Sequence, residues 1–148
     1  MENTNITQLA ATYQALLAFA DNKVETPSQD ENGNVRLIVT SDGLSFFFMF
    51  NKQDSSYVRI LLPDFFALDL DEDKINALVA MNHVACLCKM AKLNLNDAQN
   101  NIIASIEYLD HGSSVNVQIM DRYLNMLINA VKEFLKKMHA LKKEDEAS

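Results

Sequence analysis

The sequence predicts an α+β domain: a five-stranded antiparallel sheet with helices packed on one face. Three observations carry this. The hydrophobic period changes along the chain in the order helix, three strands, helix, two strands, helix. Asp42-Gly43 sits between two apolar runs, a strong two-residue hairpin signal. The strand registers that follow from the turns each leave one face wholly apolar, and a slip of one residue would scatter that face.

Ile6, Leu9, Ala10, Tyr13, Leu16, Leu17 and Ala20 recur at steps of three and four, which predicts an amphipathic first helix with Thr4 or Asn5 as its cap. The polar stretch 21–34, with Pro27 and Gly33, reads as a loop. Val35 to Thr40 and Leu44 to Asn51 are the hairpin strands. With Ser41 opposite Leu44, Val39 meets Phe46, Leu37 meets Phe48 and Val35 meets Phe50. A third strand, Tyr57 to Leu62, pairs with Asn51 opposite Tyr57, which sets Phe50 by Val58, Phe48 by Ile60 and Phe46 by Leu62. Pro63 is expected to end it.

Asp71-Glu72-Asp73 opens a second helix, favoured by the helix dipole, and Ile75, Leu78, Val79 and Asn82 carry it to about Val84. Leu87 to Leu95 and Ile102 to Leu109 read as a second hairpin around Asp97 to Asn100, with Asn96 opposite Asn101, Leu95 opposite Ile102, Leu93 opposite Ala104 and Ala91 opposite Ile106. After a turn at His111, Gly112 and Ser113, a last helix runs from about Val115 to His139. Its stripe is Val117, Leu124, Leu127, Ile128, Val131, Phe134, Leu135 and Met138. Leu124, Leu127, Ile128, Val131 and Leu135 are expected to pack on the sheet. The whole chain, 1–148, is read as one domain, with 140–148 a charged, frayed tail.

A net charge of −7 and a pI near 4.8 argue against a nucleic-acid binder and against binding to anionic membranes. No signal peptide and no membrane span are expected, and a reducing cytoplasm is the simplest compartment for two cysteines as close as Cys86 and Cys88.

The candidate site is the second face of the sheet. The registers place Ile38, Phe47 and Leu61 in one row across three strands and Arg36, Met49 and Arg59 in the next. Arginine, methionine and aromatic residues are enriched at interfaces, so the six residues read as a partner or dimer surface, unless the chain covers this face itself. Three other clusters are weaker. His83, Cys86 and Cys88 supply three ligands where structural zinc wants four, and buried free thiols at a helix-to-strand junction are the simpler reading. Asp69, Asp71, Glu72 and Asp73 lack the glycine and distal glutamate of a calcium loop. Glu107 is expected to pair across strands with Lys92 rather than to catalyse. Nucleophile and phosphate-loop motifs are missing, and His111 and His139 have no obvious partners, so no catalytic residue, metal or cofactor is assigned.

The element order resembles the type III secretion chaperone-like fold, shared by secretion chaperones and YbjN-like proteins. Ile75-Asn76-Ala77-Leu78, Met81-Asn82 and Cys88-Lys89-Met90-Ala91 look like the asparagine-containing helix and following strand of YbjN-like proteins. Ile106-Glu107-Tyr108-Leu109 and the long final helix continue the likeness, which spans roughly Ile6 to Met138. The resemblance implies a non-enzymatic cytoplasmic homodimer that binds a protein client or regulatory partner, with order α-β-β-β-α-β-β-α. The alternative is a small-molecule-binding or enzymatic domain with a site between helix and sheet, for which a deep pocket of convergent polar groups would speak.

Overall fold

In a computed structural model of the chain, the structure describes residues 6–68, 71–96, 100–110 and 116–147. The elements are α1 (Ile6–Phe19), β1 (Lys23–Val24), β2 (Ser28–Gln29), β3 (Val35–Ser41), β4 (Leu44–Phe50), β5 (Tyr57–Ala67), α2 (Asp71–Leu87), β6 (Lys92–Asn96), β7 (Asn101–Leu109) and α3 (Val117–Ala147). The fold is α+β, and the sheet runs β1-β3-β4-β5-β7-β6 with β2 also on β3. The expected caps Thr4 and Asn5, the acidic residue Asp69, the hairpin positions 97–99 and the turn at His111, Gly112 and Ser113 lie outside the described residues.

Among the described residues, seven strands stand where five were expected, because the polar stretch 21–34 is not all loop. Lys23 and Val24 pair with Thr40 and Val39, and Ser28 and Gln29 pair with Arg36 and Val35. These two-residue strands carry no apolar alternation; backbone bonding to the edge of β3 makes them. Asp30 shapes the return. Its Oδ1 accepts from the amides of Asn32 and Asn34, both at 2.9 Å, and Gly33 takes φ 86°.

The chain forms two compact units. The first holds residues 1–62 and 106–122. Its hairpin has the expected register, from Ser41↔Leu44 to Val35↔Phe50. Asp42 at φ 51° and Gly43 at φ 79° supply the left-handed turn that matches strand twist. Phe50↔Val58 and Phe48↔Ile60 also stand as expected. Val35, Leu37, Val39, Phe46, Phe48, Phe50, Val58, Ile60 and Leu62 are all buried, so this face is core. From α1, Tyr13 sets its ring edge-on to Phe48 and Phe50 with centroids 5.8 and 5.1 Å away.

The second unit holds residues 63–105 and 123–148. Pro63 does not end β5, which continues to Ala67. The β4–β5 ladder covers residues 58–61 of β5, so at position 63 a missing N–H breaks no bond of that ladder. The β6–β7 register is the expected one over Leu93↔Ala104, Leu95↔Ile102 and Asn96↔Asn101, but β6 begins at Lys92 rather than Leu87. Ala85, Cys86 and Leu87 continue α2, and the chain then reverses at Met90, with φ 62°.

In α3, Leu124, Leu127, Ala130, Phe134 and Met138 are buried, and Phe134 meets Phe65 and Phe66 edge-on at 5.6 and 5.2 Å. Ile128 and Val131 are half-buried. Leu135, expected in this stripe, is 42% exposed, because 124, 127, 134 and 138 already fill the inward face at steps of about 3.6. The helix continues to Ala147, past the expected end at His139. Over that extension Lys142 approaches the buried Asp73 at 3.7 Å, and Asn76 donates to Asp145 at 3.0 Å.

Candidate interaction surfaces

In the first unit, the hairpin register and the β4–β5 register together place the six candidate residues. Ile38 pairs with Phe47 and Phe47 with Leu61; Arg36 pairs with Met49 and Met49 with Arg59. Alternation along each strand turns these residues away from the buried face. Arg36 is exposed and the other five are half-buried. The Arg36 guanidinium lies 5.0 Å above the centre of the Phe47 ring, a cation–π contact.

A concavity of about 260 Å³ opens beside these rows, lined by Asn34, Met49, Asn51, Tyr57, Arg59 and Leu61. The turns around it use much of its polar rim. Asn34 Oδ1 accepts from the Lys52 amide at 2.9 Å, and Asn51 Oδ1 accepts from the Gln53 and Asp54 amides at 2.8 and 3.1 Å. The Tyr57 hydroxyl donates to Glu107. Burial and then Glu107 push the Tyr57 hydroxyl up to about 12, against a smaller opposing pull from Arg59. Arg59 differs from its neighbours. Its Nε is buried and has no hydrogen-bond partner among the described residues. A buried donor left without an acceptor costs about 1–3 kcal/mol.

The same unit contains a buried polar chain that the sequence does not point to. Tyr13 donates to Asp110 Oδ2 at 2.5 Å, and the Tyr108 hydroxyl lies 2.9 Å from that of Tyr13. All three side chains are buried. Burial, Tyr108 and Asp110 together raise the Tyr13 hydroxyl far above its ordinary value. With solvent excluded, the chain ties α1 to the end of β7. Tyr13 occupies an apolar-stripe position, where a hydroxyl partner leaves no periodic signal.

In the second unit, the outward side of α2 is apolar. Ala77, Ala80 and Val84 are buried, while Ile75 at 68%, Leu78 at 56%, Val79 at 46% and Leu87 at 56% are exposed. The residues at helical spacing that mark this helix in the sequence therefore face outward. The smaller residues between them face the core.

The thiols also differ from expectation. Cys86 is exposed on the last turn of α2, and Cys88, half-buried beyond it, accepts from Asn129 Nδ2 at 3.8 Å. Burial and then Glu133 raise the Cys88 thiol. Among the described residues no three His, Cys, Asp or Glu side chains gather as a metal site. Glu107 accepts a hydrogen bond from the Tyr57 hydroxyl, and Lys92 stands opposite Ser105 in the β6–β7 register. No described helix is long and apolar enough to cross a membrane.

No protein-family model matches the chain, nor does any curated protein or solved structure.

Proposed function

We propose that this chain is a non-catalytic protein-binding module, chaperone-like or regulatory, that acts as a homodimer. The observation that carries the reading is the inverted helix α2: its large apolar side chains face outward and its small ones inward. A helix apolar all round is normally buried on both sides, so the outer stripe calls for a partner. A second copy is that partner. Two-fold symmetry lets one stripe serve both subunits.

The second face of the sheet in the first unit, Arg36, Ile38, Phe47, Met49, Arg59 and Leu61, then holds the client or regulatory protein. With the two-residue strands β1 and β2 set aside, the remaining order is α-β-β-β-α-β-β-α, which supports the likeness to secretion chaperones and YbjN-like proteins. Two free thiols suit a reducing cytoplasm. The buried position of the Tyr13–Tyr108–Asp110 chain keeps it from any substrate, which favours binding over catalysis. The reading requires no cofactor.

Sedimentation velocity tests the dimer. The wild-type protein should sediment as a dimer at micromolar concentration, and Leu78→Asp as a folded monomer by circular dichroism. A wild-type monomer at high micromolar concentration removes the homodimer. Phe47→Asp should weaken client binding and leave the fold intact. Unfolding by that substitution would make the sheet face core and end its role as a binding surface.

A further inference from the structure

We propose that the outward row Lys132, Lys136, His139 and Lys143 of α3 binds an acidic segment of a partner protein. The row uses none of the residues assigned above to the sheet face or to the outer stripe of α2. It offers a different kind of contact, one selected by charge.

The four residues follow one another at steps of four, three and four within α3, so they share one face of the helix. All four are exposed, and Leu135 on the flank of the row is exposed as well. On the other side of the helix Leu127, Ala130, Phe134 and Met138 are buried, which turns the row outward. At a rise of about 1.5 Å per residue the row is about 16 Å long.

Helix stability does not account for these lysines. The dipole favours cations in the last turn, and α3 continues to Ala147, so Lys132 and Lys136 stand about four and three turns before that end. Exposed helix faces are supported by opposite charges at four-residue steps. Lys132 and Lys136 are like charges at that step, which works against the helix. Lys142, off the row, is paired with Asp73, whereas Lys132, Lys136 and Lys143 have no ion pair among the described residues. Carboxylates of a partner laid along the row relieve the repulsion.

Charge along the chain selects the class of partner. Residues 125–143 hold five lysines against the one acidic residue Glu133, a net +4, so the rest of the chain carries −11 and the whole protein −7. A nucleic acid or an anionic membrane extends beyond so short a row and meets that acidic remainder. A short protein segment with a few carboxylates covers the row and goes no further. The exposed Leu135 at its flank also gives such a segment an apolar contact, which a phosphate backbone does not use.

The test is fluorescence anisotropy at low ionic strength with the full-length protein. The probe is a labelled helical peptide of about 16 residues whose glutamates stand four, three and four residues apart. Wild type should bind it at least about tenfold more tightly than its Glu→Gln counterpart. Lys132→Gln/Lys136→Gln should bring the two peptides within about threefold of each other. Lys23→Gln/Lys52→Gln removes the same charge from exposed positions elsewhere and should keep the preference. Equal loss in both double variants reduces the effect to net charge and overturns the row. In thermal unfolding, Lys132→Gln/Lys136→Gln should be at least as stable as wild type, because it removes a repulsion. A lowered midpoint makes these lysines structural and overturns the proposal. Tighter binding of a deoxythymidine oligonucleotide or of phosphatidylserine vesicles than of the peptide, lost in Lys132→Gln/Lys136→Gln, overturns the acidic segment as the partner. No preference for the glutamate peptide overturns the proposal outright and leaves the row a solvated face.

Discussion

The helices α2 and α3 meet the same unit in opposite ways. In α3 the buried side carries the large residues Leu124, Leu127, Phe134 and Met138, and the outward side carries Asn125, Lys132 and Lys136. In α2 the buried side carries Ala77, Ala80 and Val84, and the outward side carries Ile75, Leu78 and Val79. Both show apolar residues at helical spacing. Close approach to neighbouring elements needs small side chains, so the larger stripe of α2 is left for something else. The difference teaches that periodicity identifies a helix face without saying which body covers it.

The largest expected effect breaks or upholds the α3 half of this comparison. Leu127 is fully buried, so Leu127→Ala should cost about 2–5 kcal/mol in chemical denaturation. A loss under about 0.5 kcal/mol, the range of neutral surface sites, would contradict its burial. The inner face of α2 gives the next effect, with opposite chemistry. Ala80 is fully buried, so Ala80→Leu should destabilise by about 1–3 kcal/mol through overpacking. Stabilisation by the added side chain would show room beneath the helix and weaken the account of its small residues.

On the outer face, Leu78→Ser should change the stability of the separated subunit by no more than about 0.5 kcal/mol, because the side chain already faces solvent. The same variant should weaken self-association, read as a shift toward monomer in sedimentation equilibrium. Loss of fold at low protein concentration would place Leu78 in the core instead.

The smallest effect concerns the polar edge of the sheet face. The Tyr57 hydroxyl, raised to about 12, should titrate later than an ordinary tyrosine in ultraviolet absorbance, and Glu107→Gln should bring it down. Because the folded value lies above the unfolded value near 10, the stabilisation is complete below pH 10 and fades as pH rises toward 12. A Tyr57 that titrates near 10 in the folded protein would remove its bond to Glu107 from the account of this rim.

Much of the first unit is legible in the amino-acid sequence. Alternation along Val35 to Leu62, with Asp42-Gly43 as the turn, determines both strand registers, and those registers assign Arg36, Ile38, Phe47, Met49, Arg59 and Leu61 to one face. A strand period of two admits only one arrangement that buries Phe46, Phe48 and Phe50 together. The β6–β7 register is readable for the same reason. Tertiary structure decided the rest. β1 and β2 exist through backbone bonds to an edge strand, which side-chain patterning does not report. Pro63 stays within β5, which runs on to Ala67, although a proline in isolation reads as a strand end. The bond from Tyr13 to Asp110 joins residues 97 positions apart, the unpartnered Nε of Arg59 depends on what surrounds it in space, and the outward turn of Ile75, Leu78 and Val79 depends on what packs beneath α2. Local sequence sets the period and the turn; which side of an element is covered is a property of its neighbours.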